Sequence, residues 1–546
     1  MATEREARQI VMFPFMAQGH MNPFMALARQ LEKRPGYTIT VVNTPLNIQK
    51  LKSSLPSESS IQLAEIPFQG TKYGLPPGVE NTDSASYESM VCLLEASEAL
   101  RSPFRDFIID MTKQDGHAPV CIICDVFLAW TVEVAHELGI YHSVFITGPG
   151  YSMATYVSVS LNMLQCKTEE KEFTLPDFPE AAQIQLSQLG NDLKFTDGTD
   201  SWYLFRVRQF AFCLRSDAIL LNSIEGLGQT GVTYFRRKMG GRPCWPIGPV
   251  SSIMQKKVVS ETDSSISWLN SHQPGSVLYV SFGSQYTILP SQMVALARGI
   301  EASGKAFIWV VRSPIGFDPN EQIRSEWFPD GFEHRIKEKN QGFLIHKWGP
   351  QRDILSHKSV GAFLSHCGWN SMLESLCSGT PIIGWPLAAE QFFNSHMLEK
   401  EVGVCVEVAR GIESAIIEPE HIAGVINMVL GNTEKGEDMR RKASEMKEKM
   451  GEAIREGDGY EGPSLKAMTE FLNAAELFLF DSVHLFVMSA LSFFINKLSL
   501  VVSSEKKKLM DREIQSCCCT SRCQHHYQED LVLEGKKEIN NNKRIF

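Results

Sequence analysis

Residues 361–385 read "GAFLSHCGWNSMLESLCSGTPIIGW". An apolar run of strand length enters the turn "SHCGWNS", Ser365 to Ser371, and a helical run, "MLESLCSG", leaves it. A second apolar run, "PIIGW", follows. A strand that turns directly into a helix aims unpaired backbone N–H groups and the positive end of the helix dipole at one point. Asn370 and Ser371 are residue types that suit a helix start, and His366 beside them can donate a further hydrogen bond. Together they form a socket for an anion, above all a phosphate. An ordinary capped helix with a buried His fits these seven residues equally well, so the neighbouring sequence has to decide.

The same strand–helix rhythm runs outward in both directions. "QIVMFPF" leads through "MAQGHMNP" into the helical "FMALARQLEKR", and "YTITVVNT" follows. "VCIICDVF" leads into "AWTVEVAHELGI" and then "YHSVFITG", with "DAILLNSI" as another strand. Pro and Gly punctuate "GRPCWPIGPVSSIMQKK", residues 241–257, which reads as a linker. Beyond it the rhythm restarts with "SVLYVSFGS", "AFIWVVR", "GFLIHKW", "GAFLSH" and "PIIGWP". This alternation predicts an α/β chain of two Rossmann-like halves with parallel sheets. Such sheets bind ligands at the carboxyl ends of their strands. His20, Asp125, Ser284 and the Ser365–Ser371 turn all follow predicted strands.

Composition bounds the partners. The chain has 546 residues, enough for two or three domains, and a formal net charge of −10. That acidity argues against nucleic acid or an anionic membrane as the main partner, but not against a small phosphorylated ligand held by local dipoles. Thirteen cysteines without a disulfide framework, and no signal peptide in "MATEREARQIVMFPF", predict a reducing, cytoplasmic setting. "CIIC", Cys121 to Cys124, has CxxC spacing but no second pair, and reads as a strand filled with small apolar thiols. "GLGQTG", Gly226 to Gly231, matches a dinucleotide fingerprint, yet the acidic residue required about 20 positions on is missing. A nicotinamide-dependent oxidoreductase is therefore disfavoured.

The 44 residues from Trp348 to Gln391, "WGPQRDILSHKSVGAFLSHCGWNSMLESLCSGTPIIGWPLAAEQ", resemble closely the signature box of plant secondary-product UDP-glycosyltransferases, family 1 of the glycosyltransferases. The resemblance extends over roughly residues 8–475, through "FPFMAQGHMNP", "YVSFGS" and "FIWVVR". Departures are Gly349, where Ala or Cys is usual, and Glu390, where Asp is commoner. The resemblance implies a GT-B fold, two Rossmann-like domains facing each other across a cleft. It places an acceptor-binding domain at 1–250 and a UDP-sugar domain at 251–475.

It also implies roles. Trp348 stacks on the uracil ring and Gln351 pairs with its edge. His366, Asn370, Ser371 and Ser284 hold the diphosphate, and Glu374 accepts the ribose hydroxyls. Trp369, Glu390 and Gln391 are the sugar positions, and Thr147 corresponds, with a weaker match, to a position that touches the donor sugar. His20 is the general base, with Asp125 holding its ring. The expected reaction is inverting transfer of a hexose, glucose above all, from a UDP-sugar to a hydroxyl or carboxyl of a small lipophilic plant metabolite, giving a β-glycoside. No metal or cofactor is expected, and the enzyme is expected to be a monomer with neither nucleic acid nor membrane as partner. A non-catalytic UDP-sugar binder is the rival reading; the presence of both His20 and Asp125 argues against it.

Past residue 476 the character changes. "LFLFDSVHLFVMSALSFFINKLSLVV" is apolar but broken by Asp481, His484 and Lys497, and a basic, Cys-rich and Asn-rich segment follows. Residues 476–546 are expected to be disordered or non-native sequence, such as translated intron, with a membrane-associating tail as the alternative.

Overall fold

A computed structural model describes residues 8–480, except 84, 86, 167–169, 182, 251–263, 286, 319–320, 347 and 413–416, and also residues 503–510. Two compact units divide the chain, Met1–Leu479 and Phe480–Phe546. The sequence readings of "SCCCTSRC" and of most of the apolar tail lie outside the described residues. Among the described residues no helix is long and apolar enough to cross a membrane.

In the first unit, strands β1 (Arg8–Phe13), β2 (Tyr37–Asn43), β3 (Gln62–Glu65), β4 (Cys121–Asp125) and β5 (Tyr141–Ile146) come first. A short antiparallel pair, β6 (Glu172–Phe173) and β7 (Ile184–Gln185), intervenes. Then come β8 (Ala218–Leu221) and β9 (Cys244–Pro246). The seven-stranded sheet runs β3-β2-β1-β4-β5-β8-β9, parallel throughout. Its inner strands are apolar on both faces because helices cover both sides. Cys121 and Cys124 fall on opposite faces of β4, in two different core clusters, and burial pushes both thiols up. The CxxC spacing therefore belongs to core packing.

A second sheet of six parallel strands runs β12 (Gly342–His346), β11 (Ala306–Val311), β10 (Val277–Ser281), β13 (Val360–Ser365), β14 (Ile382–Gly384) and β15 (Cys405–Glu407). In both sheets the winding reverses beside the first strand, between β1 and β4 and between β10 and β13. These two switch points are where doubly wound sheets open a crevice.

Three elements differ from the sequence reading. The stretch taken as linker contains β9, which closes the first sheet against β8. Pro246 and the run beyond it masked this strand, since Pro reads as a strand breaker except at an edge. "GLGQTG" opens the helix Gln229–Lys238, and its last glycine serves helix packing. A Cβ on Gly231 would lie 1.9 Å from the carbonyl carbon of Gly150, on the neighbouring helix Gly150–Asn162. Finally, a boundary at 475 assigns the last helix to the second half. That helix, over residues 463–479, packs instead on the first sheet. Met468, Phe471, Leu472 and Ala475 share a core cluster with Ile10, Tyr141 and Trp245. Trp245 Nε1 donates to Glu470 at 3.0 Å, and Glu476 pairs with Arg8 and accepts from Tyr37.

A chain ending at residue 480 is expected to keep the melting temperature of the core. Ending it at residue 462 removes three large buried side chains, each worth about 1.5–3 kcal/mol, and should give insoluble protein. Calorimetric melting of the two truncations checks this.

Candidate active site

Both switch points open into one cavity of about 1430 Å³. From the first sheet, β1 runs into the helix Gln18–Glu32, whose first turn carries His20. Asp125 is the last residue of the neighbouring β4 and is fully buried. Its Oδ1 accepts from the backbone N–H of Phe127 at 3.0 Å, capping the short helical turn Val126–Leu128. Its Oδ2 accepts from His20 Nδ1 at 2.7 Å. With Nδ1 engaged, Nε2 is the ring nitrogen left for a proton. Burial lowers the affinity of the His20 ring for a proton, but the Asp125 charge and hydrogen bond, helped by Glu390, outweigh it and raise the pKa above its ordinary value. Phe15 and Phe127 flank the ring at 5.7 and 5.4 Å between centroids. Thr147, just beyond β5, lines the same cavity.

From the second sheet, β13 turns into the helix Trp369–Ser378 through Cys367, which is buried with φ of +63°. A non-glycine residue held there signals backbone fixed by its surroundings. Asn370 and Ser371, read from the sequence as residue types that suit a helix start, lie in the first turn; the N-cap is Gly368, and no side chain caps the helix. The first N–H groups are thus left toward the cavity. His366 nests between two glycines. A Cβ on Gly283 would come within 2.6 Å of its ring, and one on Gly368 within 2.4 Å. Gly283 is also at φ +75°, so this position favours glycine on two counts. Burial, with the nearby Arg312 charge, pushes the His366 imidazole down to about 4. Arg312 donates to the Gly283 carbonyl at 2.9 Å and so fixes the loop that ends in Ser284.

The remaining box residues converge on this cavity, several of them through each other. Trp348 stands 73% exposed at its edge, so it is not a core side chain. Gln351 Nε2 donates to Ser371 Oγ at 3.0 Å and to Glu374 Oε2 at 2.8 Å, while its Oε1 accepts from Tyr279 at 3.2 Å. Burial raises the Glu374 and Glu390 carboxyls. Gln391 Oε1 accepts from the N–H groups of Leu387 and Ala388, both at 3.0 Å, so Nε2 is its remaining donor. Trp369 is buried and Nε1 donates to the Asn222 carbonyl at 2.7 Å, across to the first domain. Asn370 Nδ2 donates to the carbonyl of Gly19 at 2.9 Å, one residue before His20.

Sequence reading did not find Arg312, Gly368, Gly19 or Asn222. Arg312, Gly19 and Asn222 act through long-range contacts, for which local sequence carries no signal, whereas Gly368 lies within the "SHCGWNS" turn and packs on His366 two residues away. Among the described residues no three His, Cys, Asp or Glu side chains converge as metal ligands.

Two doubly wound parallel domains sharing one cavity, with an anion socket on one wall and a His–Asp pair on the other, define a GT-B glycosyltransferase. Residues 6–186 match the family described as "Glycosyltransferase, N-terminal domain", and residues 245–428 match "UDP-glucoronosyl and UDP-glucosyl transferase". UDP-glycosyltransferase 92A1 of Arabidopsis thaliana is 45% identical over 476 residues, covering 86% of this chain and 97% of that one. Crocetin glucosyltransferase 3 of Crocus sativus is 41% identical over 432 residues, covering 75% and 89%. Among solved structures, Phytolacca americana UGT2, complexed with UDP-2fluoro-glucose and pterostilbene, superposes with a TM-score of 0.69 at 27% identity, covering 86% of this chain and 100% of that one. The chain belongs to the plant family 1 UDP-glycosyltransferases.

The two histidines of the cavity should titrate in separate ranges. As pH falls, His20, raised above its ordinary value, gains its proton first, whereas His366 stays neutral until about 4. Imidazole NMR titration, assigned with the His20→Gln variant, checks this order.

Proposed function

We propose that the enzyme transfers glucose from UDP-glucose to a hydroxyl of a small lipophilic acceptor, with inversion, giving a β-glucoside. The first domain takes the acceptor and the second takes the nucleotide sugar. The observation that carries this reading is the meeting of the two halves. The Asn370–Gly19 bond sets the helix terminus beside the turn that carries His20, and the His20–Asp125 bond of 2.7 Å aims a basic Nε2 into the shared cavity.

The chemistry then follows from the residues present. An alcohol or phenol is a weak nucleophile until its proton is leaving. His20 takes that proton, and Asp125 stabilises the imidazolium formed. The oxygen attacks the anomeric carbon from the face opposite the diphosphate, which inverts configuration. The departing diphosphate accumulates charge, which the N–H groups at Trp369–Ser371, Ser284 and the neutral His366 receive. No metal or cofactor takes part in this scheme. Trp348 stacks on uracil, and Gln351 and Glu374 face the rest of the nucleoside. Trp369, Glu390, Gln391 and Thr147 surround the sugar. Glucose as donor is supported by the name of crocetin glucosyltransferase 3 and by the UDP-2fluoro-glucose held by Phytolacca americana UGT2. The nine described cysteines are all free, which supports a reducing, cytoplasmic setting, and the enzyme is taken to act as a monomer.

His20→Ala should lower kcat by about 10²–10⁴ while UDP-glucose still binds. Asp125→Asn should be impaired too, and the double variant should lose little more, because the pair acts as a unit. Because the His20 pKa is raised, wild-type activity should fall as pH drops through a value above 6.5. Retention of most activity by His20→Ala toward an aliphatic alcohol would refute the base assignment. The anomeric proton coupling of the product, read by NMR, tests inversion.

Trp348→Ala should weaken UDP binding by about 1–3 kcal/mol through lost stacking, with acceptor binding unchanged. Isothermal titration of UDP and of acceptor against both proteins separates the two effects.

A further inference from the structure

Among the charged groups of the cavity that the mechanism leaves unused, Asp192 is the one fixed against a buried partner. Asp192, in the short helix Asn191–Lys194, lines the cavity with its side chain 18% exposed. Beneath it lies Arg206, whose side chain is fully buried. Three donors converge on a single oxygen of Asp192. Arg206 Nη1 donates to Oδ2 at 2.8 Å, Tyr156 donates its hydroxyl to the same atom, and Trp202 Nε1 reaches it at 3.5 Å. Burying an arginine is costly unless it is paired, so this pair is fixed in place. Oδ2 is thus saturated from the protein side, and Oδ1 is the oxygen left as an acceptor.

An aromatic strip connects this carboxylate to the catalytic base. The rings of His20 and Phe127 are 5.4 Å apart between centroids, and those of Phe127 and Trp202 are 6.1 Å apart. Trp202 then touches Asp192. All four residues line the cavity. Flat apolar surface between two polar ends is a template for a flat ligand with polar ends.

We propose that Asp192 is an acceptor-specificity residue: it accepts a hydrogen bond from a second hydroxyl, at the far end of a planar aromatic acceptor whose other hydroxyl faces His20. This rests on the glucosyl-transfer reading above. A site built around a fixed acceptor rejects analogues that lack the donor hydrogen, because its own polar atom is then left unpaired. An acceptor carrying a carboxylate at that end meets like charge and is disfavoured.

The test uses the full-length enzyme and three matched acceptors: a planar diphenol with hydroxyls at opposite ends, its mono-O-methyl ether, and its mono-deoxy analogue. Wild type should favour the diphenol over both others by about tenfold or more, mainly through KM. Asp192→Asn adds a sharper arm. Three donors point at Oδ2, so the amide must place its oxygen there and present its NH2 where Oδ1 stood. The site then donates instead of accepting, and a methyl ether can accept as well as a hydroxyl. The preference for diphenol over methyl ether should collapse to within about twofold, with the KM for UDP-glucose unchanged.

A merely structural role for the pair would scale all three acceptors together and leave their ratios alone; that outcome overturns the proposal. So does a wild-type enzyme that uses diphenol and deoxy analogue equally, a result that needs no variant to fold. Quenching of tryptophan fluorescence by the three acceptors measures the same ratios as binding. Ordered binding without any glucoside formed would overturn the glucosyl-transfer reading and support the role of Asp192. Equal binding with glucoside formed would do the reverse.

Discussion

Two hydrogen bonds from one helix terminus set the whole active site. Trp369 Nε1 donates to the Asn222 carbonyl and Asn370 Nδ2 to the Gly19 carbonyl. Both donors belong to the first turn of the helix whose N-terminus forms the anion socket, and both acceptors belong to the other domain. The socket is therefore positioned by the same residues that form it. Neither sheet alone holds a reaction centre. One brings a base and its carboxylate, the other a cluster of dipoles, and their separation is fixed by contacts at the seam. Catalysis by positioning is sensitive to displacements of an ångström, so a direct bond between Asn370 and the residue preceding His20 is an economical way to hold register.

The sheet topology explains why the seam lies there. Each sheet reverses its winding beside its first strand, and the loops following β1, β4, β10 and β13 diverge from those two points. Parallel winding puts every strand's carboxyl end on one edge. The last helix adds a second constraint. By packing on Ile10, Tyr141 and Trp245, residues 463–479 return the chain to the domain that holds β1. The unit is closed by its own two ends.

Much of this was legible in the sequence. Runs such as "SVLYVSF" and "GAFLSH" are apolar, strand-length and followed by helical periodicity, and their order alone gives two parallel sheets. The box from Trp348 to Gln391 carried its candidate residues as a group, and all of them line one cavity. What escaped was whatever depends on a partner distant in the chain. β9 is three residues long and ends in Pro246, so its identity comes only from pairing with β8. "GLGQTG" matched a phosphate loop because close backbone approach needs glycine whether the neighbour is a pyrophosphate or, as at Gly231, another helix. For a related reason the cap was not singled out. Asn370 is a residue type that suits a helix start, but it lies one residue inside the helix that Gly368 caps, and its Nδ2 donates across to Gly19.

The electrostatics of the cavity resolve an apparent conflict between an acidic chain and an anionic donor. Asp125, Asp192, Glu374 and Glu390 all line or support it, and the chain carries a net charge of −10. Lys194, Arg352 and Arg410 also line the cavity, and Arg410 pairs with Glu407. The second sheet adds a dipole. Backbone N–H groups at Trp369–Ser371 and a histidine held neutral by burial donate hydrogen bonds without a formal charge. Glycines at 283 and 368 let that ring approach the backbone closely enough to share the socket. Arg312 donates to the Gly283 carbonyl, and its charge adds to the desolvation that lowers the His366 pKa. The two histidines thus diverge because of their surroundings: the Asp125 carboxylate raises the pKa of His20, while desolvation, with a smaller contribution from the Arg312 charge, lowers that of His366.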